Sequence, residues 1–465
     1  MQIPILNGIV TGEQSNFRIS YPVNLVPTPK GTGISEGYLR PAEGINVFAE
    51  TSGLDRGGVS WREQCYRVIG DKLCLVGSNG QISELGFIAG TEKCKFAYGF
   101  DRLAITGGQN LYYYDGTSLI MVNDPDLLRV LDVLWFDGYF VSTDGEFLVV
   151  TELTDPTIID PFKYGSSEIN PDPINGVLRT SNELLAHNRY TIEYFDNVGG
   201  VGFPFRRIDG ASINRGTIGR DAACIVDDSV FFVGSGKNEG LAVWLAQNGT
   251  SARVSLQDID ERINSVPQEK LPFIYVERRL FDGHDFVYIH LPDAETLVFD
   301  INATQSLGQP IWHILRDTSN KYPARSMILC YGKWICGHPT LPLLGALVRD
   351  HGEFYGETVR WEFNTPIIYN EAGSAVVHAM EMVCLTGRGG GSAESYVATE
   401  YSHDGFTYSD SQFVKAGRSG QRDKRIIWRR QGLLRGWRIQ KFWGNSDCQL
   451  TIARLQLDIE GLHHG

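Results

Sequence analysis

The chain has 465 residues, 42% hydrophobic and 21% charged, with 42 basic against 55 acidic side chains and a formal net charge of −13. That length and apolar content suit two or three domains, or one large repeat fold plus a smaller module, and exclude a disordered chain. An acidic balance argues against a protein whose main surface sits on nucleic-acid phosphates, since that surface is normally basic.

The opening MQIPILNGIV has neither the basic n-region nor the long apolar run of a signal peptide, and no 18-residue apolar stretch follows. The expectation is a protein made in the cytoplasm. Residues 1–40, turn-rich and dotted with proline (YPVNLVPTPKGTG, 21–33), read as an extended N-terminal arm.

Glycine at 52 residues and aromatics at 11% favour strands and tight turns over helices. Asp-Gly occurs at 115, 137, 144, 209, 282 and 404, and this dipeptide suits hairpins because it accepts positive φ. YFVSTDGEFLVV (139–150) reads as two strands around Thr-Asp-Gly-Glu. FVYIHLPDAETLVFDI (286–301) reads as two strands joined at Pro-Asp-Ala-Glu. The predicted helix is SLQDIDERINSVPQ (255–268), with Ser255 as its cap and Leu256, Ile259 and Ile263 on one face.

A turn pair followed by an alternating apolar strand recurs as DKLCLV (71), DRLAIT (101), DGYFVS (137), NRYTIE (188), DSVFFV (228), HDFVYI (284) and GKWICG (332). The intervals, 30 to 56 residues, bracket a four-stranded blade. Seven such starts predict a β-propeller of six or seven blades over 41–370; an array of β-sandwiches would use the same hairpins. Beyond 370 the texture changes, with a Gly/Ser-rich loop GRGGGSAES (387–395). Residues 371–465 read as a separate C-terminal β module, sandwich-like, and the fold class is all-β.

Chemistry is sparse. The eight cysteines include no CxxC pair, and Cys330, Cys336 and His338, the nearest thing to a ligand cluster, lack a fourth ligand. GRGGGS lacks the Lys-Ser/Thr of a phosphate loop, and HExxH and GxSxG do not occur. His463 and His464 read as tail residues. No catalytic, cofactor-binding or metal residue is singled out, and no cofactor is expected. SHDGFTYSD (402–410), echoed by STDGEF (142–147), resembles the Asp-box turn of sialidases, which is a structural turn. A carbohydrate-active, sialidase-like propeller is the alternative, and it needs three converging arginines and a Tyr–Glu nucleophile pair.

The stretch RDKRIIWRRQGLLRGWRIQK (422–441) holds eight basic residues against the single acid Asp423. RIIWRR (425–430) and LRGWRIQKFW (434–443), with Ile427, Trp437 and Ile439 as the apolar positions, read as a half-exposed hairpin with Arg on the wet face. A solvated or partner-facing strand pair, a site for an acidic protein surface and a DNA contact all fit. Arg beside Trp suits an interface. The candidate interface residues are Arg422, Lys424, Arg425, Arg429, Arg430, Arg435, Trp437, Arg438 and Lys441.

An ordered set of segments then resembles one family. They are YPVNLVPTP (21–29), GYLRPAEG (37–44), YRVIGDKL (66–73), NRYTIEYF (188–195), HDFVYIHLP (284–292), VFDINATQSLGQPIWHIL (298–315), SHDGFTYSD (402–410) and DKRIIWRRQGLLRG (423–436). The family is the packaged-DNA stabilization proteins, also called tail hub, nozzle or tail accessory proteins, of short-tailed bacteriophages (podoviruses). The resemblance implies a structural virion protein of the tail, made in the host cytoplasm and without catalytic residues. It implies a ring of six copies below the portal and its tail adaptor, closing the DNA channel after packaging. Implied partners are the adaptor, the tail needle or plug, the tailspike or tail fibre, and double-stranded DNA that passes without sequence-specific binding. The resemblance also implies a propeller with an added β module, in agreement with the repeat.

Overall fold

The structure is a computed structural model and describes all residues except 12–15, 31–36, 154, 201, 350, 371–372, 389–394 and 463–465. The two histidines 463 and 464, and most of the Gly/Ser-rich loop, therefore lie outside the described residues.

Seven antiparallel sheets follow one another along the chain: blade 1 (55–87), blade 2 (96–121), blade 3 (132–166), blade 4 (174–207), blade 5 (216–253), blade 6 (275–315) and blade 7 (325–348). The first strands of successive blades touch around the ring, and Arg325–Cys330 of blade 7 meets Asp55–Trp61 of blade 1. Blade 7 takes its fourth strand from upstream: Gly44–Glu50 pairs with Leu343–Val348, Gly44 opposite Val348. Hydrogen bonds between chain segments about 300 residues apart thus close the propeller and cover the outer edge of Leu343–Val348.

Alternation along each strand makes this possible. Leu103 and Ile105 face the core shared with blade 1, while Ala104 between them faces the core shared with blade 3. Val287 and Ile289 face blade 5, and Phe286 and Tyr288 face blade 7. A period of two therefore fills two separate interfaces, and each pair of adjacent blades encloses its own apolar cluster.

Each of the seven sequence repeats falls in a different blade, but the repeats do not mark blade starts. In blades 2, 3, 5, 6 and 7 the repeat is the turn between the first two ladder strands; in blades 1 and 4 it is the next turn. Asp137-Gly138 and Asp282-Gly283 have positive φ at both positions, the backbone a two-residue hairpin requires. Both predicted hairpins form: Tyr139–Thr143 pairs with Phe147–Val150, and His284–His290 with Thr296–Asp300.

The predicted helix is present as α1 (Gln257–Asn264), with Ile259 and Ile263 fully buried. Ser255 is not its cap. Leu256 holds that position, and Ser255 Oγ donates to the Asp260 carboxylate while accepting from Val243 N. A second helix, α2 (Ile301–Leu307), starts at Asp300, whose carboxylate accepts from Ala303 N, and stops at Gly308 with φ 68°.

The C-terminal module is a two-sheet sandwich. One sheet runs through Ala375–Leu385, Ile426–Arg429 and Thr451–Gly461; the other through Arg360–Asn364, Ser395–Ser402, Gln412–Gly417 and Trp437–Asn445. Arg360–Asn364 is already in it, upstream of residue 371. The N-terminal segment joins it too: Gln2–Ile3 pairs with Thr451–Gly461, and Leu25–Pro29 pairs with Gly37–Pro41 in the same sheet. Ile3, Leu25 and Leu39 sit in the sandwich core beside Trp361 and Phe442.

Cys330 and Cys336 lie on opposite faces of blade 7, in the cores shared with blades 1 and 6, so they cannot share a ligand with His338. Burial pushes the Cys336 thiol up to about 12, which suits a packed apolar residue.

Candidate interaction surfaces and an axial pocket

The basic segment is not a hairpin. Ile426–Arg429 pairs with Ala375–Leu385 in one sheet, whereas Trp437–Asn445 pairs with Ser395–Ser402 and Arg360–Asn364 in the other. Arg430 and Gly432, both at positive φ, bend the chain within the first sheet, where Leu433–Leu434 still pairs with Ala375–Leu385, and the chain crosses to the other sheet through Arg435-Gly436. The buried positions shift accordingly: Ile426 and Trp428 point into the core, and Ile427 is half-buried.

This sorts the nine candidate residues. Arg438 is buried inside the sandwich, donating to Gln431 O at 2.8 Å, and burial pushes its guanidinium down to about 10. It is therefore not available to a partner. Lys441 pairs with Glu362 at 3.3 Å, a carboxylate that also takes Arg316 at 2.7 Å and Arg360 at 3.2 Å, tying the sandwich to the end of blade 6. Trp437 packs edge-on against Phe17 of the N-terminal hairpin, centroids 5.8 Å apart. Arg425 makes a bidentate, exposed pair with Glu381. Arg422, Lys424, Arg429, Arg430 and Arg435 have no carboxylate partner among the described residues, and all but the half-buried Lys424 are exposed.

Large apolar side chains are also exposed in the loops of blades 2 and 3: Phe100 (90%), Phe162 (88%) and Leu128 (77%).

The Asp-box-like stretch is a structural turn. Asp404 Oδ1 accepts from Phe406 N, Thr407 N and Ser402 Oγ, and these donors hold its carboxyl well below the usual carboxylate range. Asp144 Oδ1 likewise accepts from Glu146 N and Phe147 N.

Sequence reasoning missed a polar cavity of about 850 Å³ at one mouth of the propeller axis. It is lined by the segments that enter the first strands of the blades, together with Arg189-Tyr190 of blade 4 and His338-Pro339 of blade 7. The first strand of blade 5 is broken between Thr217 and Ala223, and the break carries Arg220 and Asp221 into the cavity wall. Arg220 donates to Leu131 O (3.0 Å), Lys93 O (2.8 Å) and Asp221 Oδ2 (3.0 Å), so one side chain links blade 5 to the entries of blades 2 and 3. Lys95 pairs with Asp221 at 2.9 Å. Burial alone would raise the Asp221 carboxyl, but Lys95, Lys93 and Arg220 hold it well below the usual range. Nothing in the local sequence around Lys93 or Arg220 signals this, because the network joins three blades.

The cavity also tests the sialidase-like alternative. Tyr275 Oη does donate to Glu277 Oε2 at 3.0 Å. Glu277, however, is already engaged by His290 Nε2 (2.8 Å) and Met327 N (2.8 Å). Burial, and then the adjacent Glu277, raise the Tyr275 phenol well above its ordinary value, the opposite of nucleophile activation. Of the lining arginines, Arg56 is spent on the carbonyls of Glu92, Gly70, Ile88 and Ala89, and Arg220 on Asp221.

Known proteins divide the chain in the same way. A family model described as Bacteriophage P22 Gp10, β-propeller, matches residues 1–352, and one described as Bacteriophage P22 Gp10, β-sandwich, matches 360–460. The chain belongs to the P22 Gp10 family. It is 27% identical, over 99% of both chains, to the tail hub protein gp10 of Salmonella phage P22. Among solved structures, BamB from Moraxella catarrhalis has a TM-score of 0.38 at 12% identity, covering 75% of this chain and 97% of its own. PorZ of Porphyromonas gingivalis has a TM-score of 0.40 at 11% identity, covering 65% of this chain and 38% of its own.

Proposed function

We propose that this protein is the tail hub of a short-tailed phage, a structural component of the virion tail. Six copies form a ring below the portal and its adaptor, close the channel once DNA is packaged, carry the needle and support the spike. The whole-chain likeness to a tail hub protein, running through both propeller and sandwich, carries the reading. Interface area rather than chemistry does the work of such a part.

Charge fits this role. Six copies at −13 each bring −78 to the ring. An acidic channel wall repels phosphates, so DNA slides without sticking. Arg429, Arg430 and Arg435 then belong against an acidic patch of a neighbour, the adaptor or the spike, and away from the lumen. Phe100, Phe162 and Leu128 supply apolar contact area.

Particle incorporation tests both points. Purified particles should contain the chain in a sixfold copy number. The triple change Arg429→Glu, Arg430→Glu, Arg435→Glu should cut incorporation at least about tenfold, the effect of roughly 1.4 kcal/mol at an interface, with the melting temperature of the free chain unchanged. Normal incorporation of the triple variant would remove the basic crossing from the interface.

A further inference from the structure

Three cations on the wall of the axial cavity make no ion pair among the described residues. Lys93, at the entry to blade 2, lies over the Tyr275 ring and makes no ion pair with a described residue. Arg325, at the start of blade 7, has a buried Nε without a hydrogen-bond partner and no carboxylate partner among the described residues. Arg189 of blade 4 stacks on Tyr190, 4.4 Å from the ring centroid, and its Nη1 is likewise buried and unpaired.

The remaining charges around the cavity are matched. Asp55 is taken by Arg67, and Asp221 by Lys95 and Arg220. Glu92 accepts from Gly108 N and Thr91 N beside Arg56. Glu277 is the one carboxylate that Lys93 and Arg325 both feel at longer range. With Lys93 protonated, Lys93, Arg189 and Arg325 against Glu277 leave two positive charges unmatched among the described residues, in a chain whose net charge is −13. Unpaired, desolvated cations are unfavourable in a fold unless something else neutralises them.

We propose that the axial cavity binds a small phosphate-bearing anion, held by Lys93, Arg189 and Arg325. Guanidinium forks match phosphate oxygens in pairs, and an ammonium adds a point charge. A volume of about 850 Å³ exceeds what inorganic phosphate fills and falls within the range of small-ligand sites. The Tyr190 and Tyr275 rings back Arg189 and Lys93 in the cavity wall. Burial pushes the Lys93 ammonium down to about 7 despite Asp221 and Glu277, and a bound anion would draw its proton back.

The probe is pyrophosphate, titrated calorimetrically into the full-length chain at constant ionic strength, with citrate as a carboxylate control and a short duplex DNA as a second control. The expected result is saturable one-to-one binding of pyrophosphate, tighter than citrate by about tenfold or more. Arg325→Gln and Arg189→Gln should each weaken it at least about tenfold, while Arg429→Gln on the sandwich leaves it unchanged. Hydrogen exchange of the wild-type chain gives a readout without variants: pyrophosphate should slow exchange around residues 91–95, 189–190 and 325–326. No saturable binding, equal losses in the Arg429→Gln control, or binding of duplex DNA in preference to pyrophosphate would each overturn the proposal.

Discussion

His187 and His313 show how single residues set the acid limit of the fold. Both are buried, and burial pushes each imidazole down to about 3, against 6.5 in an unfolded chain. Between those values the unfolded state binds more protons, so stability falls as pH drops from 6.5 towards 3. Each histidine contributes at most about 1.4 kcal/mol per pH unit. The double change His187→Gln, His313→Gln should flatten the slope of the urea midpoint between pH 6.5 and 4; an unchanged slope would exclude these groups. Lys93 titrates in the other range. Its ammonium is at about 7 when folded against 10.5 unfolded, so the unfolded chain holds the extra proton between those values and stability rises with pH across them. Lys93→Met should raise the melting temperature at pH 6, with the advantage fading by pH 10.5. Arg438 is a third case, a buried cation whose closest polar partner is a carbonyl. Arg438→Met should stay within about 1 kcal/mol of the wild type, since a buried charge of this kind is replaceable by an apolar side chain of similar volume.

At the scale of elements, the closing strand Gly44–Glu50 carries the ring. A Cβ on Gly44 would lie 2.2 Å from His351 O and 2.7 Å from Glu353 O, so the strand cannot accept a side chain there without moving. Gly44→Val should cost about 2 kcal/mol or more and loosen hydrogen exchange in Leu343–Val348 first. Just upstream, Glu43 holds the buried Arg279 of blade 6 at 2.6 and 2.9 Å. Glu43→Ala should cost about 3–5 kcal/mol, because it strands that guanidinium. These long-range pairings are what the sequence could not display. The seven blades were legible because every blade needs a tight turn and two-faced alternation, both local properties. Their starts were not, since the Asp-Gly turn serves the first hairpin in some blades and the second in others. The basic crossing misled for the same reason: alternating Arg and apolar residues look alike whether two strands pair with each other or lie in opposite sheets. Ser255 was displaced as a cap by a tertiary bond to Val243 that no local pattern announces. The axial network, assembled from short pieces of three blades, had no one-dimensional signature at all.

For the whole molecule, the closed propeller is joined to the sandwich through Glu362 and through strands from the N-terminal segment. A net charge of −13, five cations of the sandwich without a carboxylate partner among the described residues, and exposed apolar side chains on the propeller suit the neighbours of the proposed tail role. The decisive measurement uses phage particles that lack this protein alone, with packaged DNA followed by nuclease sensitivity before and after adding the purified chain. Closure of the channel predicts filled heads that leak, and protection restored by the added chain in proportion to its incorporation. DNA that stays protected without the protein would contradict it.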